Sequence, residues 1–178
     1  AEVLVKLTTL LESPNPPDEP TGEDRAFALI EAERLMELGK IESAENKYSE
    51  AEQCYRNALE IFQKHGERAG EGETIGNLGN AYREKGQHDR AAEHFTQAID
   101  IAREIGDRRC ESMHLGNLGN VYKDQGEHDL AIEHYTQAID IAREIGNKRT
   151  EGIHLGNLGD AFIKMEQLDE AEDVFRKA

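Results

Sequence analysis

The sequence contains no tryptophan, two cysteines and four prolines in 178 residues. The cysteines, Cys54 and Cys110, are too few and too far apart for a disulfide framework, so reduced thiols of a cytoplasmic protein are expected. All four prolines lie between Pro14 and Pro20, and the chain that follows is free of this helix breaker. Hydrophobic residues make up only 37% of the chain, which favours a thin elongated structure over a sphere with a deep core.

Basic residues are also scarce, with 21 Lys and Arg against 37 Asp and Glu and a net charge of -16. A field of this sign repels phosphate, so binding to nucleic acid or to an anionic membrane is not expected. A basic partner, or a peptide with a basic half, is favoured on the same grounds. The apolar run in residues 1–11 is too short and too charged to span a membrane, and it lacks the basic start of a signal peptide.

The N-terminal segment differs from the rest of the chain. Apolar residues at helical spacing predict a short amphipathic helix over 1–12. The proline-rich residues 13–23 predict an extended linker, so residues 24–178 form a separate repeat region. Two interpretations of the first helix remain open: it is a cap or the tail of an upstream domain, or it folds back as an internal ligand.

The repeat region is organised around one pentapeptide. Gly-Asn-Leu-Gly-Asn occurs at 76–80 and 116–120, and Gly-Asn-Leu-Gly-Asp follows at 156–160. This 40-residue period indicates stacked supersecondary units that share a core. Alanines at positions 51, 91, 131 and 171 set the register and give units at 32–71, 72–111, 112–151 and 152–178.

Each unit is predicted to fold as helix, turn, helix. In the second unit we expect helix A at about 73–85, a turn at Gly86, and helix B from His88 until Gly106 stops it. Gly79 and Ala91 are expected to let the two helices approach closely. The pattern predicts an all-α solenoid of antiparallel helix pairs.

A family resemblance is carried by Leu78, Gly79, Tyr82, Gly86, Ala91, Phe95 and Ala98, whose spacing resembles the tetratricopeptide repeat. The 40-residue period is similar to the long-repeat branch found in Pins/LGN-type polarity scaffolds and kinesin light chains. This resemblance covers about 32–178 and implies a right-handed superhelix with a concave peptide groove. The first unit departs from the pattern with Glu42 and Asn46 in place of Tyr82 and Gly86, and the fourth has Glu166 at the turn.

The candidate site lies on the A helices. Asn77 and Asn80 share a face that does not point to helix B, and the repeat turns them into a ladder of side chains that donate and accept hydrogen bonds. The resemblance implies that these amides contact the main chain of a ligand. The expected groove residues are Gly76, Asn77, Asn80, Arg83, Gly116, Asn117, Asn120, Lys123, Gly156, Asn157, Asp160 and Lys164.

Particular roles are expected within this set. The glycines leave room for a ligand backbone. Arg83, Lys123 and Lys164 suit an acidic residue or a C-terminal carboxylate. Two alternatives stay open: the asparagines hydrogen-bond between adjacent A helices, and Arg83 and Lys123 form a solvated face paired with neighbouring acids.

Catalytic and metal chemistry are not expected. Six of the seven histidines form three pairs 40 residues apart, without the spacing of a zinc site. No nucleophile motif or phosphate loop is present, so neither a cofactor nor an enzyme activity is predicted. The expected function is an adaptor or scaffold that binds an extended segment of a partner protein. The alternatives are a self-assembling module that stacks end to end, or a regulatory sensor arm of a larger protein.

Overall fold

A computed structural model describes residues 22–176 of the chain. The predicted helix at 1–12, all four prolines and the last two residues lie outside the described residues. The first described helix begins at Gly22, within the segment 13–23 that the sequence predicts as linker.

Helices make up all the regular secondary structure of residues 22–176. They are α1 (Gly22–Ala44), α2 (Tyr48–Lys64), α3 (Arg68–Glu84), α4 (His88–Ile105), α5 (Arg108–Gln125), α6 (His128–Glu144), α7 (Lys148–Lys164) and α8 (Leu168–Phe175). The odd-numbered A helices and even-numbered B helices form four antiparallel pairs joined by short turns. The prediction of an all-α solenoid of helix pairs is confirmed.

The turns are made by residues in the left-handed region of backbone conformation. Glycine occupies this position in five turns, including Gly86 with φ of 70° and Gly106 with φ of 72°, so the predicted helix-ending glycines are confirmed. The two departures keep the same geometry, because Asn46 has φ of 61° and Glu166 has φ of 60°. Asparagine tolerates this conformation, whereas Glu166 carries a strain of about 1–2 kcal/mol.

Helix A starts earlier than the sequence pattern predicts. In the second unit it begins at Arg68, five residues before the expected start at 73. The extra turn is stabilised in later units by capping side chains: Asp107 accepts a hydrogen bond from the backbone N–H of Cys110 at 2.9 Å, and Asn147 accepts one from that of Thr150 at 3.2 Å. The boundaries predicted at 72, 112 and 152 therefore fall inside α3, α5 and α7.

Close packing within each pair depends on a glycine of helix A and an aromatic ring of helix B. A Cβ added at Gly79 would lie 3.0 Å from the ring of Phe95, which is fully buried. The small residue Ala91 of α4, which was expected to permit this close approach together with Gly79, is fully buried as well. Burying a phenylalanine this completely stabilises the fold by about 2–3 kcal/mol.

The core runs through successive units rather than being confined to one. A single buried cluster contains Tyr55 of α2, Leu78 of α3, Phe95 of α4, Leu118 of α5 and Ile141 of α6. Each pair therefore buries its apolar surface only against its neighbours, as in a solenoid.

The A helices form the inner side of the stack. Neighbouring A helices approach one another directly, whereas neighbouring B helices make no such approach anywhere in residues 22–176. The B side must therefore be the longer, outer face, and the A side must be concave. None of the eight described helices is long and apolar enough to cross a membrane.

Candidate functional site

The concave side carries a groove formed by α1, α3 and α5, which we call the inner groove. Its α1–α3 section has a volume of about 580 Å³, and its α3–α5 section has a volume of about 370 Å³. The two sections share Glu73 and Cys110, so they form one continuous depression.

The α1–α3 section is lined mainly by acidic and apolar side chains. Glu33 and Glu37 project from α1 and Glu73 from α3. Lys40 bridges two of these acids: its Nζ donates to Glu37 Oε1 at 2.7 Å and to Glu73 Oε1 at 3.1 Å. These hydrogen bonds, that to Glu37 first, raise the pKa of Lys40 and keep it charged.

The α3–α5 section is lined by amides. Asn77 and Asn80 of α3 and Asn117 of α5 meet here, and with Gly76 of α3 the structure brings together four of the predicted groove residues. The Nδ2 atom of Asn77 is buried without a hydrogen-bond partner among the described residues. Met113, 43% exposed, adds an apolar contact surface beside them.

The remaining predicted polar residues do not line the inner groove as the structure describes it. Asn120 is engaged within its own pair, because its Oδ1 accepts a hydrogen bond from the hydroxyl of Tyr135 at 2.7 Å. Asn157 and Asp160 lie on α7, beyond the three helices that form the groove.

The predicted basic residues also lie outside the groove lining. Arg83 pairs with Glu84 at 2.7 Å and with Asp124 at 3.7 Å. For Arg83 this agrees with the alternative interpretation, in which the basic residues pair with neighbouring acids. Lys123 and Lys164 lie in the last turns of α5 and α7. The expectation that these three side chains bind an acidic ligand in the groove is therefore not supported, because none of them lines it.

The alternative role of the asparagines was to hydrogen-bond between adjacent A helices, and the described helices do not show it. No hydrogen bond joins these amides across neighbouring A helices within residues 22–176; the one that is bonded, Asn120, bonds to helix B. Asn77 and Asn117 are partly buried and border the open α3–α5 section.

The first glycine of the pentapeptide was expected to leave room for a ligand backbone, and Gly76 does line the α3–α5 section, but a side chain of this protein occupies the space beside two of the three copies. A Cβ on Gly76 would lie 2.2 Å from Cε1 of His114, and a Cβ on Gly116 would lie 2.0 Å from Cε1 of His154. The imidazole of the next A helix already fills the space reserved for a ligand backbone. Gly156 differs, because nothing described lies within 4 Å of a Cβ placed there.

Sequence reasoning missed the burial of these two histidines. His114 is 3% exposed and His154 is 5% exposed. Burial lowers the pKa of His114 to about 4, although Asp107 and Glu73 favour its charged form. Burial likewise lowers the pKa of His154, partly offset by the main chain of Ser112. Both rings are therefore neutral at pH 7.

Two further ionisable groups near the inner groove, the thiol of Cys110 and the carboxylate of Glu111, carry no unpaired charge. Burial, with a further contribution from the neighbouring Asp107 carboxylate, raises the pKa of the Cys110 thiol to about 12, so the protonated thiol predominates at neutral pH. The buried carboxylate of Glu111 is held by Arg103 at 2.8 Å and Arg108 at 2.5 Å. Within residues 22–176, no group of three or more His, Cys, Asp or Glu side chains is arranged to hold a metal ion.

Comparison with known proteins gives a family match and several structural matches. A family model described as tetratricopeptide repeat matches residues 31–104 and 110–178. No curated protein sequence matches the chain significantly. Among solved structures, aspartyl phosphate phosphatase F from Bacillus subtilis is similar with a TM-score of 0.82 and 17% identity, over 84% of this chain and 39% of that chain.

Two further structures have the same fold. A Rap protein complexed with competence and sporulation factor has a TM-score of 0.78 and 17% identity, over 84% of this chain and 42% of that chain. A signal transduction ATPase with a tetratricopeptide repeat sensor, from Pyrococcus horikoshii, has a TM-score of 0.76 and 19% identity, over 99% of this chain and 26% of that chain. The chain thus spans less than half the length of each of these three proteins.

Proposed function

Because the chain belongs to the tetratricopeptide repeat family, we propose that it is a protein-interaction module whose inner groove holds an extended peptide segment of a partner. The observation that carries the proposal is the meeting of Asn77, Asn80 and Asn117 in one open section between α3 and α5. A Rap protein of similar fold, solved with competence and sporulation factor, supports a binding role for this architecture.

The chemistry of the section suits a main chain better than a compact ligand. An extended peptide presents alternating donors and acceptors, and an amide side chain offers one of each. The buried Nδ2 of Asn77 has no partner among the described residues, and an unpaired buried donor costs about 1–3 kcal/mol. A ligand carbonyl placed there would remove that cost.

Replacing Asn77 and Asn117 together by alanine is expected to weaken peptide binding by about tenfold to a hundredfold. Each amide contributes about 0.5–1.5 kcal/mol of net hydrogen bonding, and tenfold in affinity corresponds to about 1.4 kcal/mol. The probe is a peptide of about twelve residues selected by the wild-type protein from a random displayed library, with affinity measured by fluorescence anisotropy.

Asn120→Ala supplies a control, because it removes the same kind of side chain from the same pentapeptide as Asn117, three residues further along α5. Its amide bonds to Tyr135 instead of lining the groove, so this variant should lose about 1 kcal/mol of stability and keep its affinity. Equal loss of affinity in the control and the double variant, with helical content unchanged, would place the peptide elsewhere.

A second candidate function is end-to-end association of two copies. At the α7–α8 end, Leu168 is 65% exposed and Phe175 is 44% exposed, although the equivalent Phe95 and Tyr135 are fully buried. On α1, Phe27 is 70% exposed and offers an apolar counterpart. Such head-to-tail contact would extend the stack.

Light scattering over a range of concentrations tests this second candidate. If copies associate, the mean mass rises with concentration and Leu168→Glu abolishes the rise, because a charge is placed in the contact. A constant monomer mass at the highest soluble concentration would remove the candidate.

A sensor arm is the third proposal, supported by the repeat sensor of the Pyrococcus horikoshii ATPase.

A further inference from the structure

The charge of the inner groove is negative, and it indicates which kind of segment fits there. Two basic side chains, Lys40 and Arg109, line the groove. Five carboxylates line it as well: Glu33, Glu37, Glu67, Glu73 and Asp107. A concave surface of one sign concentrates its field, and the net charge of -16 over the whole chain adds to it.

The groove already holds one ammonium group in the expected manner. Lys40 reaches from α1 to place its Nζ between Glu37 and Glu73, which belong to adjacent A helices. One unit later, Glu37 and Lys40 are replaced by Asn77 and Asn80. The groove therefore changes along its length from carboxylates, which select charge, to amides, which read main chain.

A second and independent observation points to a ligand in the amide section. His114 lines this section, is 3% exposed, and its Nδ1 has no hydrogen-bond partner among the described residues. The buried Nδ2 of Asn77 is unpartnered in the same way. Both residues line the α3–α5 section, so a main chain bound there would run beside two side chains whose hydrogen bonds are incomplete.

We infer that the inner groove selects a cationic extended segment of a partner protein. Its lysine or arginine side chains lie against the carboxylates of the α1–α3 section, and its main chain runs past Asn77 and Asn117. This inference rests on the proposed function and adds to it the sign of the ligand's charge. It also replaces the acidic ligand expected from Arg83, since Arg83 pairs with Glu84 and Asp124.

The test uses three synthetic peptides of about twelve residues that share one backbone sequence and carry lysine, glutamine or glutamate at the same four positions. Wild-type protein is expected to bind the lysine peptide at least tenfold more tightly than the glutamate peptide, measured by fluorescence anisotropy. The difference should shrink as salt rises from about 0.05 to about 0.5 M, because the charges lie in an open groove.

Two variants of equal charge locate the effect. Glu33→Gln/Glu73→Gln neutralises two groove acids and leaves Glu37 to hold Lys40, so it should weaken binding of the lysine peptide at least fivefold. Glu60→Gln/Glu93→Gln neutralises two exposed acids on B helices and should weaken it less than twofold. Circular dichroism of both variants verifies that the helices are intact.

The outcomes separate this inference from the function on which it rests. Tighter binding of the glutamate peptide, lost in Asn77→Ala/Asn117→Ala, would overturn the charge preference and leave the peptide groove standing. Equal weakening by the two double glutamine variants would also overturn it, because the effect would then come from net charge. Binding of none of the three peptides would overturn both the inference and the proposed function.

Discussion

Gly116→Ala is expected to lower the free energy of unfolding by about 2 kcal/mol, although alanine favours a helix over glycine by about 1 kcal/mol. The added Cβ would lie 2.0 Å from Cε1 of His154, a ring that is 5% exposed and enclosed between α5 and α7. The ring must leave its site or push the helices apart, and overpacking of this kind costs about 1–3 kcal/mol. Thermal and urea unfolding measure the change.

Gly156→Ala is the matched control within the same pentapeptide. Nothing described lies within 4 Å of a Cβ at Gly156, so this variant should gain up to about 1 kcal/mol from helix propensity. The double variant Gly116→Ala/His154→Ala should lose less free energy of unfolding than the two single variants lose in sum, because the clash requires both residues. Strict additivity would show that the two residues do not meet.

Lowering the pH from 7 to 5 is expected to destabilise the solenoid through its buried histidines. The pKa of His114 falls to about 4 in the fold, whereas an unfolded histidine has a pKa of about 6.5. A folded pKa below the unfolded value means that the contribution is complete above about pH 6.5 and is lost as the pH falls toward about 4. His114 alone accounts for about 2 kcal/mol between pH 7 and 5, because one pKa unit corresponds to about 1.4 kcal/mol and the loss is not complete until about pH 4.

The control for this effect is His114→Thr/His154→Thr, which places at both positions the residue found at Thr74 in the preceding unit. This variant is less stable at pH 7 because it leaves cavities, but its stability should fall less between pH 7 and 5. Carboxylates contribute mainly at lower pH, as Glu52 illustrates: hydrogen bonds from Lys85 and Tyr82 outweigh its burial and lower its pKa to about 2. Parallel pH profiles for variant and wild type would contradict the assignment.

The sequence contains a signal for the packing of His114 on Gly76 and of His154 on Gly116, but comparing residues 40 apart does not reveal it. Where the first unit has Met36, the next unit has the smaller Thr74, whose Oγ1 lies 3.0 Å from the methionine sulfur. Where the later units have Gly76 and Gly116, the units that follow have the larger His114 and His154. At each of these contacts between neighbouring A helices, a large side chain packs against a small residue. Comparing residues 38 apart would therefore have predicted that they meet.

The helices and turns could be predicted because they depend on local patterns. The 40-residue period sets the units, and the glycine at each turn ends a helix in the left-handed conformation. The sign of the groove could not be predicted in this way. Glu33 of α1 and Glu73 of α3 are equivalent positions 40 residues apart, as are Glu67 and Asp107, but an acidic residue is absent from both positions in the later units, and the period alone does not show that these positions share one groove. They come together only because neighbouring A helices converge on the inner side.

The packing roles of the pentapeptide can now be separated from its surface roles. Its leucine is buried, its second glycine admits an aromatic ring, and its first glycine admits a histidine in the copies at Gly76 and Gly116. The asparagines remain, and only those between α3 and α5 border the inner groove. The motif is therefore mainly a device for stacking helices.

Hydrogen–deuterium exchange of the protein with and without a library-selected peptide measures directly whether the inner groove is the binding surface. We expect slower exchange in α1, α3 and α5 when the peptide is bound, centred on the segments that contain Glu73, Asn77 and Asn117, with the B helices unchanged. Protection confined to the B helices or to the α7–α8 end would contradict the proposal that the concave side binds the partner.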